Sequence, residues 1–265
     1  MAPALDAFDK LLGRDRDLVP PRRLIGTIGQ GDFQAIGDEF LGHFRSLADL
    51  TPSDAVLDIG CGVGRMAVPL SRFLSEGSYE GFDIIPACIQ WCQEQITPRF
   101  PNFRFQLADI HNDEYHPAGR GDARTYRFPY DDSSFDFAFA TSVFTHMQPT
   151  PVDNYLSETA RVLRPGGRLV ATFFLLNDES QSRIAAGTSG LDMRHDLREE
   201  GTDLPFATTN VAIPEAALGL PEPFVRDSLQ RHGFEVDEPI RYGSWSGRER
   251  YLSYQDVLVA RTSAS

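Results

Sequence analysis

Residues 56–65 read VLDIGCGVGR, and this stretch decides the fold prediction. Its apolar start indicates a short buried strand, and three glycines at alternate positions follow that strand. Glycine suits positions where φ is positive or where a ligand approaches the backbone closely. The next residues, RMAVPLSRFL at 65–74, place apolar side chains at helical spacing. The stretch therefore predicts a strand, a ligand-binding glycine loop and a helix.

Strands and helices alternate along the rest of the chain. Strands are predicted at 55–59, 79–84, 103–109, 134–142, 168–176, 234–242 and 254–261, and helices at 33–48, 65–74, 152–163 and 223–233 and from Pro86 onward. Only a short loop separates the last two strands, which therefore pair antiparallel. The pattern predicts an α/β fold: a doubly wound, Rossmann-like, mostly parallel sheet of seven strands whose last strand is antiparallel.

Three segments lack a regular period, residues 1–31, 110–133 and 177–220. Ligands of open α/β sheets bind beyond the carboxyl ends of the strands, and the two internal segments follow strands there. We predict that residues 1–49 form a leader and a helix that cover a pocket. Residues 50–265 then form the ligand-binding domain, with residues 177–220 as a cap inserted into it.

Acidic residues end three successive predicted strands. Asp83 lies where an acidic residue binds a ribose diol, and Asp109 is placed to accept a hydrogen from an adenine amino group. Together with the glycine loop, these residues indicate a site for an adenosine ligand. Asp58 stands just before the first glycine, separated from it by Ile59; this is unfavourable beside a pyrophosphate but suits a cationic sulfonium and an amino group. A dinucleotide oxidoreductase is therefore the weaker alternative.

With these residues the sequence resembles the class I S-adenosylmethionine-dependent methyltransferases. The resemblance rests on DIGCGVG at 58–64, Asp83, Asp109, FPYDDSSFDFAFA at 128–140 and RVLRPGGRLVATFF at 161–174. It implies S-adenosylmethionine as the cofactor and methyl transfer to a small organic acceptor, with a hydroxyl oxygen favoured. A non-catalytic S-adenosylmethionine-binding module or partner subunit is the alternative of a different class.

The resemblance also implies which residues surround each part of the cofactor. They are Asp58, Gly60, Cys61, Gly62 and Gly64 at the methionine part, Asp83 and Ile84 at the ribose and adenine ring, Asp109 and Ile110 at the adenine amino group, and Thr141 and Ser142 at the transferred methyl group.

His146 follows the fourth predicted strand in SVFTHM, at the edge where the methyl group is expected. An alcohol acceptor needs a base, and histidine is the usual choice near neutral pH. We therefore predict His146 as the catalytic base; the alternative is a histidine that only orders the turn, and an acidic acceptor needs no base. His116 and His195 are secondary candidates. A magnesium site built from Asp113 or Asp178 has no support in the sequence, so no metal is predicted.

Composition narrows the choice of partners and compartment. The net charge is −13. Lys10 is the only lysine, and the arginines are scattered along the sequence. Nucleic acids and anionic membranes require clustered positive charge, so neither is predicted as a partner. No apolar run is long enough to cross a membrane, and the start of the chain lacks a secretory pattern. The three cysteines form no disulfide framework, so we predict a cytoplasmic protein. The sequence does not predict an oligomeric state.

Overall fold

The computed structural model describes residues 18–29, 31–113 and 115–263. These residues form two compact units, which are divided between Ala108 and Asp109. The first part of the predicted leader, residues 1–17, lies outside the described residues. The prediction of a covering segment and an inserted cap stays a prediction.

The first unit carries three parallel strands and their helices. Its elements are α1 (Arg22–Ile25), a 3₁₀ turn (Gly26–Ile28), α2 (Phe33–Leu47), β1 (Ala55–Ile59), α3 (Ala67–Phe73), β2 (Ser78–Asp83), α4 (Pro86–Gln95) and β3 (Phe103–Leu107). β2 pairs in parallel with both β1 and β3. Asp32 begins α2 as an N-cap by accepting the backbone N–H of Ala35 at 2.8 Å. This cap follows from the predicted start of the helix.

The second unit carries the remaining strands. Its elements are β4 (Phe135–Ala140), a 3₁₀ turn (Phe144–His146), α5 (Pro149–Val162), β5 (Leu163–Phe173), β6 (Leu175–Leu176), α6 (Asp178–Ala185), β7 (His195–Arg198), β8 (Pro205–Thr208), a 3₁₀ turn (Pro214–Ala216), β9 (Leu218–Pro221), α7 (Glu222–Arg231), β10 (Phe234–Val236), a 3₁₀ turn (Ser244–Ser246) and β11 (Asp256–Thr262). None of the helices in the described part of the chain combines the length and apolarity that a membrane crossing requires.

The main sheet has seven strands in the order β10-β11-β5-β4-β1-β2-β3. β11 runs antiparallel to both β5 and β10, whereas β4 and β5 are parallel. The predicted fold, a mostly parallel seven-stranded sheet with an antiparallel last strand, is confirmed. Buried side chains such as Phe137, Phe139, Val170 and Leu258 fill the core along β4, β5 and β11.

The sequence predicted an irregular segment at 177–220, and this prediction is wrong. It contains α6 and three strands, which join β6 in a second sheet of order β6-β9-β8-β7. Asn177 begins α6 with a capping box: its side chain accepts the N–H of Ser180, and the Ser180 hydroxyl accepts the N–H of Asn177. The prediction failed because these strands are short and β7, with the sequence HDLR, has no apolar alternation.

Several other boundaries also differ from the prediction, two of them markedly. The sequence RPGGR was expected as a turn between a helix and a strand, but β5 already begins at Leu163. Leu163 pairs with Phe135 and Arg168 pairs with Phe137, so the intervening residues of β5 form a bulge that accommodates the turn sequence. The predicted strand 234–242 is also shorter, because β10 ends at Val236 and a single bridge joins Arg241 to Val257.

Asp256 fixes the beginning of β11 with hydrogen bonds from three donors. Its carboxylate accepts the backbone N–H groups of Leu175 and Gly243 at 2.7 and 2.6 Å and the indole N–H of Trp245 at 2.9 Å. The side chain is fully buried, and this burial raises the pKa of Asp256 to about 6 although the three donors act against it.

Candidate functional site

The glycine loop lies across the end of β2 and is held by backbone hydrogen bonds. The N–H groups of Gly60 and Cys61 both donate to the carbonyl of Phe82, at 2.9 and 3.0 Å. Gly60, Gly62 and Gly64 have φ values of 77°, 52° and 78°, which disfavour other residues. The loop therefore has the backbone geometry that its glycines predicted.

Asp83, at the end of β2, connects the strand to the loop. One carboxylate oxygen accepts the N–H of Gly62 at 2.7 Å, and the other accepts the N–H of Ile85 at 2.8 Å. The residue is 8% exposed, and burial raises its pKa while these backbone donors lower it. A carboxylate has about four acceptor positions, so Asp83 can accept further hydrogen bonds from ribose hydroxyls. Ile84 lies half-buried directly after it.

Asp58, at the end of β1, is a fully buried carboxylate with one partner. Its Oδ2 accepts the phenol of Tyr79 at 2.5 Å, and its buried Oδ1 has no hydrogen-bond partner among the described residues. Burial raises the pKa of Asp58 well above its ordinary value; Tyr79 lowers it, and the charge of Asp83 raises it. A buried acceptor without a partner fits a ligand that brings a cationic or amino group to the loop.

Tyr79 was not recognised from the sequence. It lies on β2 two residues before Gly81, which pairs with Asp58 in the register of β1 and β2. A Cβ on Gly81 would stand 3.0 Å from the Tyr79 hydroxyl, so this glycine leaves room for the tyrosine beside the carboxylate. The alternation of Tyr79 and Gly81 in the strand sequence was the available signal.

The three cysteines of this unit are buried free thiols. Cys88 lies 3.4 Å from the Thr27 hydroxyl, and the Cys92 thiol donates weakly to the Gly62 carbonyl at 3.7 Å. Burial raises the pKa of Cys88 to about 11 and those of Cys61 and Cys92 well above their ordinary value. These thiols pack behind the loop as protonated side chains. No group of three or more metal-ligating side chains occurs in the part of the chain that the structure describes.

Asp109 and Ile110, which follow β3 in sequence, belong to the second unit. Arg120 donates its Nε–H to the Asp109 carboxylate at 2.7 Å, and this hydrogen bond lowers the pKa of Asp109. The Asp109 side chain remains 40% exposed, whereas Ile110 is buried. Arg120 was missed because it lies in a segment without a regular pattern.

Thr141 and Ser142 follow the carboxyl end of β4. Ser142 has a φ of 59°, and its N–H donates to the Thr172 hydroxyl at 2.8 Å. Its own hydroxyl accepts a hydrogen bond from the Gln255 amide at 3.0 Å. The backbone after β4 is therefore held in a sharp turn by side chains from β5 and from the segment before β11.

His146 ends the short 3₁₀ turn after β4, and its ring nitrogen Nδ1 lies 2.8 Å from the backbone carbonyl of Glu215. A carbonyl only accepts, so Nδ1 carries the hydrogen and the neutral ring has its lone pair on Nε2. Tyr115 packs against the ring edge-on at 5.5 Å between centroids. The Gln148 side-chain amide donates to the Glu215 carboxylate at 2.7 Å. Glu215 is therefore held through both its backbone carbonyl and its side chain.

The secondary candidates lie elsewhere in the second unit. His195 is exposed on β7, and His116 forms a backbone bridge with Asn112. Asp113 accepts a hydrogen bond from His111, and Asp178 lies in the first turn of α6. The sequence also gave no sign of Glu215 as the partner of His146, because 69 residues separate the two.

Part of the chain is similar to known proteins. Residues 56–167 match the model of a methyltransferase domain. A phthiotriol/phenolphthiotriol dimycocerosates methyltransferase of Mycobacterium leprae (strain TN) is 35% identical over 114 residues, which are 43% of this chain and 35% of that protein. The methyltransferase GfsG of Streptomyces halstedii is 32% identical over 135 residues, 50% of this chain and 42% of that one. These alignments therefore span less than half the length of either relative.

A solved structure shares the fold over nearly the whole chain. The crystal structure of magnesium protoporphyrin IX methyltransferase from Synechocystis PCC 6803, with bound SAH, superposes with a TM-score of 0.54 at 17% identity. The match covers 96% of this chain and 100% of that one. At this identity the likeness establishes the architecture.

Proposed function

Since the chain belongs to the class I S-adenosylmethionine-dependent methyltransferases, we propose that it methylates a hydroxyl oxygen of a small organic acceptor. Membership of the family supports the cofactor and the type of reaction. The hydrogen bond that fixes the tautomer of His146 is the observation that supports a hydroxyl acceptor. The relative from Mycobacterium leprae is named as a phthiotriol/phenolphthiotriol dimycocerosates methyltransferase.

The first unit provides the residues that would hold the cofactor. Asp83 accepts hydrogen bonds from the ribose hydroxyls while it keeps the glycine loop in place through Gly62. Asp58 attracts the positively charged methionine part through its unpartnered buried oxygen. Because Asp58 is buried, a nearby cation lowers its pKa and favours the ionised form. When bound, S-adenosylmethionine supplies a methyl group on a cationic sulfur, and transfer to a hydroxyl releases one proton.

His146 receives that proton at Nε2. The Glu215 carbonyl keeps the hydrogen on Nδ1, so the lone pair of the neutral ring is directed to the opposite side of the imidazole. The same carbonyl then stabilises the imidazolium, because Nδ1–H remains its donor. This is the arrangement in which a histidine acts as a general base and then returns its proton to water.

Binding and turnover test the two parts of the proposal separately. Calorimetry with S-adenosylmethionine tests the cofactor; well-folded protein that binds a nicotinamide dinucleotide instead would overturn it. Turnover is measured with labelled cofactor and a panel of alcohols, phenols, amines and thiols. Transfer to alcohols or phenols supports the proposal. Cofactor binding without transfer to any acceptor favours a non-catalytic binding module.

The base is tested with His146→Gln and His146→Ala. With an alcohol acceptor, both variants should lower kcat by about 10²–10⁴-fold and leave cofactor affinity close to that of the wild type. The wild-type rate should rise with pH as the imidazole loses its proton, and the variants should lack this rise. Glutamine can still donate to the Glu215 carbonyl but cannot take a proton. A glutamine variant with full activity and the same pH profile would exclude the catalytic role.

A further inference from the structure

The second unit contains a cavity of about 670 Å³ between α6 and the residues that precede β11. Its volume lies within the range of small-ligand sites, about 300–1,000 Å³. Its charged lining residues are Glu179, Arg183, Arg241, Arg248, Glu249 and Arg250. None of the residues predicted for cofactor binding or catalysis is among those that line it.

One wall of the cavity is a fixed arrangement of two arginines around one carboxylate. Arg183 and Arg248 each donate their Nε–H to Glu179, both at 3.0 Å. Arg248 also lies 4.3 Å above the ring centroid of Tyr242 and is 9% exposed. The Tyr242 hydroxyl is in turn held by Glu222 at 3.0 Å. Two guanidinium groups share a single negative charge, so this wall carries an excess of positive charge.

Two further arginines line the cavity without a carboxylate of their own. Within the described residues, the side chains of Arg241 and Arg250 make no hydrogen bond or ion pair, and Arg241 is only partly exposed. The lining as a whole has four arginines against two glutamates. The chain carries a net charge of −13, so a local excess of cations is unusual for its surface. Guanidinium groups with free donors bind carboxylate and phosphate oxygens.

The lining also includes exposed apolar side chains. Tyr251 and Leu252 both line the cavity and are 59% and 38% exposed, which is high for such side chains. Tyr254, two residues further along, is 50% exposed. Exposed apolar side chains grouped in this way mark surfaces that contact another molecule.

We propose that this cavity binds a small organic anion that joins a phosphate or carboxylate group to an aromatic or aliphatic part. The anionic group pairs with Arg241 and Arg250, and the apolar part packs against Tyr251 and Leu252. The wall of Arg183, Arg248 and Glu179 supplies a positive field without having to rearrange. This binding function is separate from methyl transfer and does not depend on it.

Phenyl phosphate, which combines an oxyanion with an aromatic ring, is the probe. Its affinity for the full chain is measured by calorimetry and by ligand-observed NMR, beside inorganic phosphate and benzyl alcohol. The variants are Arg241→Gln, Arg250→Gln and the double variant. Arg72→Gln is the matched control, because Arg72 is an exposed arginine of α3 outside the cavity. Melting temperatures confirm that each variant is folded.

Saturable binding of phenyl phosphate that is stronger than that of either comparator supports the proposal. Each arginine should contribute about tenfold to the affinity, and the double substitution should lower it by about 100-fold or more. The Arg72 variant should bind as the wild type does. The proposal is overturned if phenyl phosphate does not saturate, if benzyl alcohol binds equally well, or if the folded double variant keeps the wild-type affinity.

Discussion

Replacing Asp83 by asparagine tests whether this residue binds the cofactor or only stabilises the fold. The amide keeps one acceptor oxygen and places an NH₂ group where the other oxygen accepts Gly62 or Ile85. One buried backbone N–H then loses a charge-assisted hydrogen bond, which is worth about 1.5–3 kcal/mol. The amide also avoids the burial cost that raises the pKa of Asp83, so the net loss of unfolding free energy should be smaller, about 1–2 kcal/mol.

Cofactor affinity should fall more clearly than stability. The ribose hydroxyls lose a charged acceptor, and the hydrogen bond between Asp83 and the Gly62 N–H is weakened or lost, so the Kd for S-adenosylmethionine should rise by about 10- to 150-fold. Calorimetry gives the Kd, and urea unfolding gives the free energy.

Asp54→Asn is the matched control for this variant. Asp54 is equally buried at 8% exposure and accepts the backbone N–H and the hydroxyl of Thr51, but it precedes β1 at the opposite end of the strand from the loop. It should lower stability and leave the Kd unchanged. An Asp83 variant with wild-type affinity, or an Asp54 variant with the same loss of affinity, would refute the assignment of Asp83 to the ribose.

The other predictions concern single contacts. Tyr79→Phe removes the hydrogen-bond donor to Asp58 and should lower the unfolding free energy, measured in urea, by about 1–3 kcal/mol. The loss should be larger at pH 8 than at pH 5, because burial raises the pKa of Asp58 and the ionised carboxylate depends most on this donor. Gly62→Ala should lower both the melting temperature and the cofactor affinity, because φ is 52° there and the new Cβ would stand 2.7 Å from Ile28 Cγ2. Gly42→Ala, within α2, should instead stabilise the protein by about 0.5–1 kcal/mol, because no atom lies within 4 Å of its new Cβ. Asp256 has its pKa raised from 3.8 to about 6, so wild-type stability from this group is present below pH 3.8 and is lost as the pH rises through 6. The stability advantage of the wild type over Asp256→Asn should therefore shrink by about 2.5 kcal/mol between pH 4 and pH 7, and a constant difference would contradict the shift.

The parts of the fold that could be predicted are those fixed by local chemistry. β1 has the bounds expected from its apolar run, and β2, β3 and β4 differ from the prediction by one or two residues at most ends. The Asp32 cap is local in the same sense, because its side chain accepts the N–H of a residue three positions ahead. The positive φ values of the glycine loop could likewise be expected from the glycines at 60, 62 and 64. Each of these features depends on residues close in sequence.

The parts that could not be predicted depend on partners far apart in the chain. Tyr79 reaches Asp58 across 21 residues, and Glu215 holds His146 across 69. The second sheet was missed because β7 and β8 have four residues each, too few to show a period. Glu199 shows the same limit: it is buried and accepts the N–H and hydroxyl of Thr150 at the start of α5, a contact that no local pattern indicates.

The position of β11 has a consequence for the order in which the second unit folds. β11 is the last strand in sequence but lies inside the sheet, with β5 on one side and β10 on the other. Its first residue pairs with Phe173, so its docking on β5 closes a loop of more than eighty residues, from 173 to 256. Such non-local pairings form late and slowly. Until the hairpin of β10 and β11 arrives, one edge of β5 is an unpaired, apolar strand. That interval is when a nascent or refolding chain is most exposed to aggregation, and chaperone demand should follow the rate of this single docking step.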